Sequence, residues 1–267
     1  MRTPIRLAAT LLKSQIAQSV RGRKAALPLR CIAVPEEAEK HSAHAGPSAV
    51  GSKRVKVPAS RILWLTGAAD PLSRPAIGKF ARQLQEHGRT VFLETDGTQL
   101  RRRIHEFRPS QRLYLTVRLY GTAPTHDQRM QKEGAFAAAM EGIRAAQLSG
   151  FLLCAHLVVE HDKQLHDINH LLEELCTLRL DGMIVTAADD TVDIQRKTAA
   201  VARGLLGSRW WAAFSQVVQR SFNLSQAGVA STPAGSSRVG VTAPASNNAN
   251  KRDAHGASVS SEEVATR

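Results

Sequence analysis

Apolar residues follow two alternating rhythms along this chain. Short unbroken runs, "ILWLT" at 62–66, "TVFLE" at 90–94, "LYLTV" at 113–117, "FLLCAHLVV" at 151–159 and "GMIVT" at 182–186, have the length and β-branched content of buried strands. "LRCIAV" at 29–34 is a plausible first strand upstream of them. Between these runs the spacing turns helical. Residues 74–88 place Ile77, Phe80, Ala81 and Leu84 on one side and stop at Gly88, and 134–150 stop at Gly150. Residues 162–180 are apolar at Leu165, Ile168, Leu172 and Leu175, while 98–107 and 193–207 read as further helices. Strand and helix in strict alternation predict an α/β fold of parallel βα units, closed as a barrel or left open. Either architecture gathers ligands at the C-terminal ends of its strands. Those ends are 66–70, 94–97, 117–121, the stretch after His156, and 186–190.

The flanks change the picture. Residues 1–28 read as a basic amphipathic helix with Ile5, Ala8, Ala9, Leu12, Ile16 and Val20 on one side. Residues 35–60 are a loop or linker, 208–224 a C-terminal helix, and 225–267 a polar tail too poor in large apolar side chains to fold. The barrel-like domain is then 29–207. The net charge is +13, and residues 1–30 carry seven basic side chains and no acid. Lys53, Arg54 and Lys56 form a second basic cluster and Arg101, Arg102 and Arg103 a third. Such charge attracts phosphate, in nucleic acid or on an anionic membrane. Aromatics make up only 4%, which disfavours a base-stacking surface and hence nucleic acid as a partner. A partner enzyme or an anionic membrane surface is the expected contact of the basic N-terminus. No apolar run approaches the length of a membrane span. Three widely spaced cysteines, Cys31, Cys154 and Cys176, give no disulfide framework and suit a reducing cytoplasm. The membrane surface is the alternative location.

Other constellations are weaker. His41 and His44 near Glu36, Glu37 and Glu39 match no zinc spacing. His166 and His170, with Glu173 beyond, have the i, i+4 spacing of a chelate, but they also suit a solvated helix face. Glu94 and Asp96 stand at a strand end without a sequence-visible partner for acid–base work. No phosphate loop or nucleophile elbow is present. Trp210 and Trp211 suit either docking onto the barrel or a lipid-facing edge.

Read in order, the strand ends carry a resemblance. "AADPL" at 68–72 follows the second strand, "TDG" at 95–97 the third, and "FRPS" at 107–110 precedes a strand ending in "LYG" at 119–121. A Gly-bounded helix and "DGM" at 181–183 complete the series. This order resembles the radical S-adenosylmethionine (SAM) superfamily, with the hopanoid-biosynthesis adenosyl transferases as the most similar branch, over about residues 11–227. The resemblance implies a partial (β/α)6 TIM-like barrel, a [4Fe–4S] cluster on a CxxxCxxC loop, and SAM at the strand ends. Carried over position by position, it makes Gly67, Ala68, Ala69, Asp70, Thr95, Asp96, Thr116, Arg118 and His156 the candidate cofactor-binding residues.

The chain departs from that pattern where the chemistry lies. The loop after the first strand holds no cysteine, so the three cluster ligands are missing. Ala68 and Ala69 stand where the family has glycines, Asp70 is a shortened acid, Asp96 replaces an amide, and Tyr120 replaces an acid. His156 stands where a polar amide is usual. The expectation is a degenerate radical-SAM-like protein with no metal site and no assignable catalytic residue. Retained SAM binding without a cluster, or a basic scaffold for nucleic acid or membrane, are the alternatives.

Overall fold

The computed structural model describes residues 4–21, 28–34, 60–67, 69–161, 164–188, 191–205 and 209–230. Six strands form one parallel sheet in sequence order: β1 (Leu29–Ala33), β2 (Ile62–Thr66), β3 (Thr90–Thr95), β4 (Leu113–Leu119), β5 (Leu152–Val159) and β6 (Gly182–Ala187). Between them run α2 (Ile77–Glu86), α3 (Leu100–Arg103), α4 (Ala123–Met130), α5 (Ala135–Leu148) and α6 (Gln164–Cys176). α1 (Ile5–Arg21) precedes the sheet, and α7 (Val192–Leu205) and α8 (Arg209–Ala230) follow it.

A parallel sheet that never reverses its strand order puts its crossover helices on one face, because each crossover is right-handed. The other face must then curl around something apolar. Here that something is α8. The Ser215 hydroxyl accepts from Val185 N (3.1 Å), and the Gln219 amide brackets Ala187, accepting from its N–H (2.7 Å) and donating to its carbonyl (3.1 Å). Two side chains one helical turn apart thus satisfy the open edge of β6, which would otherwise offer unpaired backbone groups. Two residues beyond Gln219, Ser221 donates to Leu29 O on β1 (3.5 Å). One helix touching both edge strands requires a curled sheet. The fold is a six-stranded partial barrel with α8 across its opening.

Inside the curve, alternate residues of each strand form layers. Trp64, Phe92 and Tyr114 sit side by side in register on β2, β3 and β4, their rings stacked at 5.4 and 4.6 Å. Phe214 of α8 lies against Phe92 at 5.3 Å, and Phe222 meets Trp64 edge-on at 5.6 Å. Trp211 is fully buried over Gly182, where an added Cβ would come within 2.1 Å of its ring. Of the two uses open to the tryptophan pair, docking onto the barrel is the one adopted, with Trp210 stacked on Phe214 at 5.2 Å. Gly97, at φ +81°, turns the chain after β3 in a left-handed conformation that a side chain would strain.

Two expectations need correction, and one element was missed. α1 buries Leu7 and Leu11, whereas Ile5 (81% exposed), Leu12 and Ile16 face outward. The helix therefore docks by the side opposite to the one its apolar count favours. α8 runs on to Ala230, so 225–230, read as the start of the tail, are helical. α4 was not foreseen. It is polar along most of its length, with Pro124 in its first turn and His126 as its buried residue, so no apolar stripe announces it.

Candidate functional site

The C-terminal ends of the strands open into a cavity of about 660 Å³ above the aromatic floor. Its walls include Thr66, Glu94, Arg118, His156 and Thr186 from five successive strands, with Gln219 and Phe222 from α8. Each of those strand residues is on the inward parity of its strand. The curl brings them together although up to 120 residues separate them in sequence.

A buried polar chain crosses this wall. Glu94 Oε2 accepts from Trp64 Nε1 at 3.2 Å, and Glu94 Oε1 lies 2.7 Å from His156 Nδ1. On the other side of the ring, His156 Nε2 lies 2.7 Å from Thr186 Oγ1. Glu94, His156 and Thr186 are all buried. Burial pulls the Glu94 carboxyl upward, but the His156 hydrogen bond and charge, then Arg118 and the Thr66 hydroxyl, override it and hold it at about 2. Glu94 is therefore a carboxylate at every physiological pH. An ionised carboxylate only accepts, which places a proton on Nδ1. The Thr186 hydroxyl holds the other ring nitrogen, Nε2.

Hydroxyl, imidazole and carboxylate in that order can activate a nucleophile. The surroundings argue against that use. Thr186 is 2% exposed. The next two backbone N–H groups, of Ala187 and Ala188, are already given to Gln219 and to Val159 O, so neither is free to hold an oxyanion. The chain acts as a rigid strut that fixes His156 and keeps one negative charge in the cavity wall.

Arg118 is the neighbour of His156 across β4 and β5. Its Nε is buried without a hydrogen-bond partner. The guanidinium lies 5.8 Å from the Tyr120 ring centre, and Arg129 approaches the same ring at 5.0 Å. Arg129 is already paired with Glu160 at 2.5 Å.

A second polar cluster sits at the turns after β2 and β3. Asp70 Oδ1 accepts from Leu72 N and caps the short turn Pro71–Ser73, while Oδ2 accepts from the Thr95 hydroxyl, each at 3.0 Å. Thr95 Oγ1 in turn accepts from Gly97 N, and Asp96 Oδ1 accepts from Thr98 N and Oγ1. Burial, and then the charge of Asp96, push the Asp70 carboxyl up to about 7. At Gly67 an added Cβ would come within 2.8 Å of Ala69 O, so this turn is tight.

The nine candidate residues therefore divide. Arg118 and His156 line the cavity; Gly67, Ala69, Asp70, Thr95, Asp96 and Thr116 do not, and Ala68 lies outside the described residues. Thr116 is fully buried with its hydroxyl unpartnered. Sequence reasoning placed Thr66 and Thr186 at ligand-gathering strand ends without naming either as a candidate, and left Glu94 without a partner. The available signal was parity: Thr66, Glu94 and Thr186 are inward positions at strand ends.

The residues do not fit a cluster that needs three thiolates. Cys31 is on β1, Cys154 on β5 and Cys176 at the exposed end of α6. Burial pushes the Cys31 thiol up to about 12 and raises Cys154 well above its ordinary value, so neither is a thiolate at neutral pH. Among the described residues no group of three His, Cys, Asp or Glu is placed to hold a metal ion. His41, His44 and the nearby acids lie outside the described residues, as does the side chain of His166; His170 stands 3.9 Å from Glu173 on an exposed face. The third basic cluster is partly neutralised, with Arg101 paired to Glu141 and Arg103 to Glu106.

No family model and no curated protein matches the chain. Among solved structures it is similar to an archaeal TYW1, with 14% identity over 55% of this chain and 50% of that one, at a TM-score of 0.42. It is also similar to a TYW1 structure with a lysine–pyruvate adduct bound, with 13% identity over 55% of this chain and 48% of the other, at 0.42. The chain spans about half the length of each.

Proposed function

We propose that this chain is a half barrel of the radical SAM type that does not build the iron–sulfur cluster and works as a small-molecule binding protein. The observation that carries the reading is the cysteine distribution. The whole sequence has three, and they stand on two non-adjacent strands and one outer helix. A cluster held by protein thiolates needs three converging on one loop or one face. Kinship with the hopanoid adenosyl transferases is part of the same proposal and rests on the order of the strand-end turns. The test is anaerobic iron and sulfide reconstitution of the purified chain, followed by iron assay and EPR after reduction. Substoichiometric iron and no [4Fe–4S] signal are expected; a stoichiometric signal overturns the reading.

A second reading concerns α1. Ile5, Leu12 and Ile16 fall on one exposed stripe, flanked by Arg6 and Lys13. This supports peripheral contact with an anionic lipid surface. Co-sedimentation with phosphatidylserine vesicles, lost in the Leu12→Glu/Ile16→Glu double variant, is the expected result.

A further inference from the structure

We propose that the cavity is a receptor for the oxyanion, carboxylate or phosphate, of a small organic molecule, with Arg118 as the residue that holds it. The inference rests on the binding-protein reading above and names the ligand class. A guanidinium carries five N–H donors in a planar fork that matches a carboxylate or a phosphate. Four other forks are engaged: Arg101 by Glu141, Arg103 by Glu106 and Arg74 O, Arg112 by Gly88 O, and Arg129 by Glu160. Arg118 makes no hydrogen bond to a protein group among the described residues, and its Nε is shut away from solvent. Glu94 and Arg118 interact through charge without a hydrogen bond between them, the Glu94 oxygens being bonded to Trp64, His156 and Thr66. A buried donor left unmatched is costly, and a group that supplies the acceptor is bound in proportion.

The setting selects the ligand further. Arg118 and Arg129 both face the Tyr120 ring, but Arg129 is held by Glu160, which leaves Arg118 as the guanidinium with donors to offer a ligand. Phe222, Val158 and Ala33 give an apolar wall, and Asn223, whose Oδ1 accepts from Gln219, keeps its NH2 to offer, enough for an organic body attached to the anion. The volume of about 660 Å³ suits a nucleotide-sized molecule.

The experiment is calorimetric titration of the full chain at neutral pH and low salt with AMP, adenosine, inorganic phosphate, succinate and SAM. Saturable binding of AMP is expected, at least tenfold tighter than adenosine and displaced by phosphate; succinate in place of phosphate as the effective competitor identifies a carboxylate ligand. Arg118→Gln weakens the anion at least tenfold, and Arg118→Lys recovers only part, because an ammonium cannot present the fork. Arg101→Gln, on the outer surface, leaves binding unchanged. The proposal is overturned if the folded Arg118→Gln chain binds as the parent does, if adenosine equals AMP, if SAM binds most tightly, or if no anion binds at millimolar concentration. Cluster loading is read separately by EPR, so failure here and failure of the binding-protein reading give different results.

Discussion

Two acids at neighbouring strand ends behave in opposite ways. Glu94 ends the inward face of β3, where His156, then Arg118 and the Thr66 hydroxyl, outweigh burial and hold it ionised at about 2. Asp70 follows β2 and sits against another carboxyl, that of Asp96, which with burial pushes it up to about 7. Glu94 is the more deeply buried of the two and yet has the lower pKa, so burial does not set the order; the partners do. The cavity wall has been built around a permanent negative charge. The turn has been built around a shared proton. The difference also says which region has polar capacity to spare. Asp70 and Thr95 spend their hydrogen bonds on holding the loop shape, whereas the cavity retains Arg118 with its donors unmatched.

Removing Glu94 is the largest break available. Glu94→Ala strands the Trp64 N–H and the His156 N–H in a dry interior, which costs about 3–5 kcal/mol. Glu94→Gln keeps an acceptor and the shape and costs less. Urea denaturation of the two variants measures the difference, and equal losses would mean that volume rather than the polar chain matters. Next is the seat of α8, which closes the cavity from the other side. Gly182→Ala drives a methyl into the Trp211 ring, and overpacking of this kind costs about 1–3 kcal/mol. Loosened burial of Trp211 appears as a red-shifted tryptophan emission and, since Gln219 and Phe222 are on the same helix, as weaker anion binding.

Much of the fold was legible because strands and helices here obey their own periods. The apolar runs at 62–66, 90–94 and 182–186 became strands nearly residue for residue, since a strand covered on both faces must be apolar throughout. α1 was misread because its apolar residues are spread around the axis, and only tertiary packing decides which side docks. The candidate site was half legible. The Asp70 cap over Pro71–Ser73 is local, so it shows in consecutive letters. The Glu94–His156–Thr186 chain is assembled from three strands by register and curl, and no window of sequence contains it. Each member taken alone looks like an ordinary buried polar residue.

The pH dependence of stability separates the two acids most cleanly, because it is read from a slope. Glu94 has a folded pKa below its ordinary value of 4.5, so its contribution is fully present above 4.5 and is lost as pH falls toward 2. Asp70 has a folded pKa above its ordinary value of 3.8, so its contribution is fully present below 3.8 and is lost as pH rises through 7. Between pH 4.5 and 7 the Glu94 contribution is constant, and the Asp70 one falls. Asp70→Asn retains an oxygen that caps as well as aspartate does, so it flattens the decline in that window and leaves stability at pH 4 nearly unchanged. Asp70→Ala loses the cap as well, about 1 kcal/mol, at every pH. Thermal midpoints of the three chains at pH 4, 5.5, 7 and 8 measure this. A decline that survives Asp70→Asn intact would place the shared proton elsewhere and remove the contrast between turn and cavity.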